Sequence, residues 1–114
     1  MTQNPIAHNF HDVNLDRDIG IGRALLCPRC GGSNLHHDTV AIFNRGEDEE
    51  QVRQTTVTAS ATVVEITEGK DNPSERRSGI AIQFSCETCE DKATMEMTIA
   101  QHKGTTFLRW RWRA

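Results

Sequence analysis

All four cysteines of this chain fall into two Cys-x-x-Cys pairs, Cys27-Pro28-Arg29-Cys30 and Cys86-Glu87-Thr88-Cys89. Two short pairs of this kind read as one tetrahedral four-thiolate zinc site, because each pair can wrap a tight knuckle around a shared ion. Gly31 and Gly32 follow the first pair, where the backbone has to turn sharply. Four thiolates close the coordination shell, whereas a catalytic zinc keeps one position open. The site therefore reads as structural, with Cys27, Cys30, Cys86 and Cys89 as its ligands. Two disulfides fit less well: a bridge across Cys-x-x-Cys closes too small a loop to stabilise much, and no secretory leader is evident. Iron in the same thiolate cage stays open as an alternative.

The composition makes a metal useful. The chain has 114 residues, of which 36% are hydrophobic and 5% aromatic, with no tyrosine. That is enough for one domain with a modest core, and apolar burial alone leaves such a domain marginal. The longest apolar run, Val40 to Phe43, is far below the roughly 20 residues of a membrane span. A cytoplasmic protein with no membrane association and no small-molecule substrate is the expectation. The formal net charge is -3, and four thiolates with one Zn²⁺ bring it to -5. An acidic balance argues mildly against nucleic acid as partner, although Arg76 with Arg77, and Arg109 with Arg111 and Arg113, form local basic patches.

Periodicity predicts an all-β chain. Residues 1–22 are polar and without period, and read as an N-terminal arm ahead of a β domain over 23–114. Strands are expected near 35–43, 51–67, 80–86, 93–102 and 105–113, in a largely antiparallel sheet clamped at one end by the metal. Within 51–67 the apolar residues change face between Val63 and Val64, which predicts a β-bulge or bend there. Gly69 to Gly79 is a loop rich in turn residues and charge. Residues 44–50 form an acidic turn, and no window carries a helical stripe.

The last two strands allow a sharper expectation. If Lys103-Gly104 is a two-residue type I′ turn, every pairing follows. Met95 then faces Trp112, Met97 faces Trp110 and Ile99 faces Leu108 on one side; Glu96 faces Arg111 and Thr98 faces Arg109 on the other. A shift by one residue would set Glu96 against Trp110 and mix the two faces. Alternation thus sends both tryptophans inward and the arginines to the opposite face. Arg109, Arg111, Arg113, Arg76 and Arg77 nevertheless remain the candidate binding surface. His36 or His37, just behind the first knuckle, is a candidate partner for a thiolate.

Enzyme signatures are absent: there is no His-Glu-x-x-His, no phosphate-binding Gly-x-x-x-x-Gly-Lys-Ser/Thr, and no Gly-x-Ser-x-Gly. The run Cys27-Pro-Arg-Cys-Gly-Gly32 closely resembles the first knuckle of zinc-ribbon proteins, and Cys86-Glu-Thr-Cys89 resembles the second. That resemblance implies two β-hairpin knuckles clamping zinc, in a group with many members serving transcription, translation or protein assembly. The 55 residues between Cys30 and Cys86 far exceed the roughly 15 to 20 of the usual ribbon, so the insert must be a sheet in its own right. Asn72 to Arg77 and Gln101 to Gly104 also resemble segments of small bacterial and phage proteins without known activity. The expected function is a non-enzymatic zinc-binding β module that binds another protein, as a regulator or inhibitor from a phage or mobile element would. The alternative is a nucleic-acid-binding zinc ribbon acting in transcription or a related process.

Overall fold

The computed structural model describes residues 10–47, 49–89 and 94–113. Among them there are seven strands and no helix: β1 (Phe10–Asp12), β2 (Leu35–Asn44), β3 (Val52–Val57), β4 (Thr62–Thr67), β5 (Gly79–Cys86), β6 (Thr94–His102) and β7 (Thr105–Arg113). They form one antiparallel sheet in the order β1-β7-β6-β5-β2-β3-β4. The expected all-β class and antiparallel sheet hold, but five strands become seven.

Both extra strands have a local cause. The stretch expected as one strand over 51–67 is a hairpin. The Thr58 amide donates to the Ala61 carbonyl at 2.9 Å, and the Thr58 hydroxyl accepts from the Ser60 and Ala61 amides. A Ser/Thr side chain thus closes a turn that carries no Gly, Asn or Pro to mark it. This turn pairs Val57 with Thr62 and Thr55 with Val64. The change of face near Val63 is therefore ordinary alternation after a reversal. The bulge lies instead in β2, between His37 and Val40. The other addition, β1, falls within residues 1–22; its three residues pair with β7 on the sheet's outer edge.

The β6–β7 hairpin matches its expectation pair for pair. Met95↔Trp112, Met97↔Trp110, Ile99↔Leu108, Glu96↔Arg111 and Thr98↔Arg109 are all cross-strand partners. Lys103 and Gly104 take φ of 50° and 80°, the left-handed values a type I′ turn demands.

The sheet has an apolar face and a mixed face, and each is covered over a different part. One transverse row of the apolar face runs Leu108, Ile99, Ile80, Ile42, Thr55, Val64 across six neighbouring strands. A second runs Trp110, Met97, Ile82, Val40, Val57. Among the described residues, cover lies over the cysteine end of this face, where Val13, Leu25 and Cys27 close over Met95 and Trp110. Leu108 and Val64 remain 48% and 58% exposed.

The mixed face is closed by the loop between β4 and β5. Pro73 and Ser74 are buried against it, the Ser74 hydroxyl accepts from the Gln101 amide, and the Arg111 guanidinium donates to the Asp71 carbonyl. Gly79 permits this approach: a Cβ there would lie 2.8 Å from Pro73 and 2.5 Å from Asn72. Beneath the loop and beside it, Phe43, Val52, Ala81, Thr98 and Ala100 are buried.

Candidate metal centre

The first knuckle is shaped by its own backbone. Cys27 donates its amide to the Gly32 carbonyl, and the Gly31 amide donates back to the Cys27 carbonyl, at 2.7 and 2.9 Å. Gly31 sits at φ +75°, which explains why glycine follows the pair. The second knuckle grows from the end of β5. There the Glu87 amide donates to the Asn34 carbonyl at the start of β2, holding the knuckles side by side.

This arrangement brings together all four cysteines, although 55 residues separate the pairs. Their sulfurs lie within 4.8 Å of one another, with Cys27 Sγ 3.7 Å from Cys89 Sγ and Cys30 Sγ 3.6 Å from Cys86 Sγ. A tetrahedron of thiolates about 2.3 Å from a zinc ion has edges of about 3.8 Å. The set therefore has the size and donor chemistry to hold a metal ion, and the cysteines are free rather than bridged as disulfides.

Thr88, inside the second pair, supplies a polar partner that the sequence reading did not single out. Its hydroxyl lies 3.3 Å from Cys86 Sγ and 3.4 Å from Cys30 Sγ. Hydrogen bonding from that hydroxyl lowers the Cys86 thiol to about 6 and also lowers Cys30, where the Gly32 amide assists. Cys89 moves the other way, up to about 12, chiefly because its thiol donates to Cys86. The only advance signal for Thr88 was its place within the Cys-x-x-Cys pair.

The two candidate histidines make other contacts. His36 pairs with Glu87 at 3.0 Å across the two knuckles, and His37 meets the edge of Phe84. Trp112 ties the first knuckle to the sheet. Arg29 lies over its ring at 4.5 Å, and its indole N–H donates to His11 Nε2 at 2.6 Å.

The basic candidates differ in what they contact. Arg111 is turned inward, bonding Glu96 at 2.7 Å with the two side chains 12% and 7% exposed. Arg109 is half-buried on the same face, beside Pro73 and Phe107. Arg77 pairs with Glu47, and Arg76 is exposed on the loop; the Arg113 side chain lies outside the described residues. No protein-family model, curated protein or solved structure matches this chain. The described residues contain no helix long and apolar enough to cross a membrane.

Proposed function

We propose that this chain is a non-enzymatic β module, held by a structural zinc ion at Cys27, Cys30, Cys86 and Cys89, that binds another protein. The observation that supports this reading is the uncovered part of the apolar face. Ile42, Ile80 and Ile99 stand in one row with Leu108 and Val64, and Arg53 is the one arginine or lysine among the described side chains of β2 to β7 on that face. Apolar area of this kind marks an interaction surface for another polypeptide, whereas nucleic acid calls for an array of cations. The inward turn of Arg111 supports this reading over the nucleic-acid alternative, which calls for that guanidinium at the surface. Zinc is the metal this reading carries, and iron is the alternative that the same four thiolates would hold. A regulator or inhibitor of a host protein, of the kind mobile elements carry, is one role such a module would fill.

Affinity capture with the metal-loaded chain, with and without nuclease, tests the reading. A protein companion that survives nuclease and is lost with Ile80→Lys, at unchanged metal content, is expected. Retention by single- or double-stranded oligonucleotides at low salt, weakening steeply as salt rises, would replace it with the alternative. Elemental analysis of the same preparation separates zinc from iron.

A further inference from the structure

One edge of the sheet is β1, described over Phe10–Asp12. The other, β4, offers six residues, Thr62–Thr67, with neither proline nor lysine nor a bulge. Those are among the devices by which sheet edges are ordinarily blunted, and Glu65 is the one charge this edge carries. Val63, Val64 and Ile66 are 52%, 58% and 58% exposed, so each face of this edge carries an open apolar side chain.

The hairpin fixes which backbone groups the edge presents. Because the Thr58 amide bonds the Ala61 carbonyl, alternation turns the N–H and C=O of Val63, Glu65 and Thr67 toward β3. Thr62, Val64 and Ile66 turn theirs outward. We propose that this edge pairs antiparallel with β4 of a second copy of the chain, about a two-fold axis at Val64.

Self-complementarity identifies the occupant as a second copy. A two-fold axis normal to the sheet keeps each face on its own side, so the register must centre on a single residue. Centring on Val64 lets Val64 exchange hydrogen bonds with its own counterpart and Thr62 with Ile66 of the copy. Every outward group of the strand is then satisfied. Centring on Glu65 would oppose two carboxylates directly and strand Thr62; centring on Val63 would strand Ile66. In the Val64 register Glu65 meets Val63 of the copy, and the only charge on the strand avoids itself. Val64 also ends the apolar row that starts at Leu108, so pairing continues that row into the second protomer. The contact is isologous and closes at two copies.

Sedimentation velocity on the full metal-loaded chain across a concentration series tests this. The wild-type chain is expected to be a dimer. Val64→Pro removes only an outward amide, unused within the protomer, and Val64→Lys opposes two ammonium groups at the axis. Both variants are expected to sediment as monomers with unchanged metal content. Leu108→Lys, at the far end of the row, is expected to leave the dimer intact. A wild-type monomer throughout the series would overturn the proposal. So would a dimer that survives Val64→Lys, or one that Leu108→Lys dissolves, since either places the contact elsewhere. Should Val64→Pro lose its metal, Val64→Lys alone decides. Because the Ile80→Lys capture experiment probes a different part of the sheet, failure here leaves the protein-binding reading standing.

Discussion

Two small cores lie on opposite faces of one sheet, and they are closed by different means. On the apolar face, Trp110, Met95 and Cys27 are covered by a knuckle whose position depends on sulfur. On the mixed face, Phe43, Val52 and Ala81 pack together, and the loop closes over the same face through hydrogen bonds from Gln101 and Arg111. The first core gathers Trp110 and Met95 under the knuckle; the second sets Phe43 and Val52 beside Ala81, and Gly79 lets the loop approach that face closely enough to serve as cover. A sheet with few aromatic residues is therefore covered over part of each face without a second layer. The consequence is the bare half of the apolar face.

Metal removal should break this comparison most severely. Structural zinc in small peptides contributes on the order of 10–16 kcal/mol, comparable to the roughly 5–15 kcal/mol total stability of a domain. A chelator at neutral pH is expected to lower the denaturant midpoint substantially and to shift the emission of Trp110 and Trp112 to the red, since both sit at the cysteine end. An unchanged midpoint in metal-free protein would show that the knuckle closes its core without an ion.

A smaller perturbation measures how unevenly the apolar face is covered. Trp110 is 0% exposed and Leu108, one step along the same face of β7, is 48% exposed. Truncating a buried tryptophan costs about 3–5 kcal/mol, and removing a half-exposed leucine costs under about 1 kcal/mol. Urea denaturation of Trp110→Ala and Leu108→Ala should reproduce that difference. Equal losses would mean that something covers Leu108 in solution.

What the sequence made legible followed from strict two-residue alternation and from spacing. The β6–β7 hairpin could be registered residue by residue because Glu96, Met97 and the tryptophans tolerate no slip, and because Lys103-Gly104 has a recognisable turn chemistry. The sulfur cluster was legible because paired cysteines leave few other uses. The β3–β4 reversal was hidden by a turn made of Thr58, Ala59, Ser60 and Ala61, residues that are equally at home in a strand. β1 was hidden because Phe10–Asp12 lies in a polar stretch without a two-residue period. Loop placement was the deepest omission. Nothing in Gly69 to Gly79 announces that it folds onto the sheet, and the contact depends on the missing side chain of Gly79, a position whose role is visible only once Pro73 lies above it.

Thr88 provides the finest test of how sulfur closes its core. Its hydroxyl is the largest influence holding Cys86 down to about 6 from an ordinary thiol value of 9.0, and it lowers Cys30 as well. Metal ligands must shed their protons, so a thiol with a low pKa resists proton competition as pH falls. Thr88→Val keeps the shape of the side chain and removes the donor. Cys86 then returns toward its ordinary value, and protons begin to displace the metal at a higher pH. The variant is expected to bind metal about tenfold more weakly, near the lower end of the 10- to 100-fold losses typical of such hydrogen-bond partners. Its metal-release midpoint should move upward in an acid titration followed with a chromophoric chelator. The Cys89 thiol, pushed up to about 12 without metal, should give up a proton on metal binding at neutral pH in both proteins, so proton release at that site is unchanged by the substitution. A release curve for Thr88→Val that overlays the wild type would mean that the hydroxyl packs beside the sulfurs without bonding to them. The uneven proton sharing would then have to come from the Gly32 amide and the sulfurs themselves.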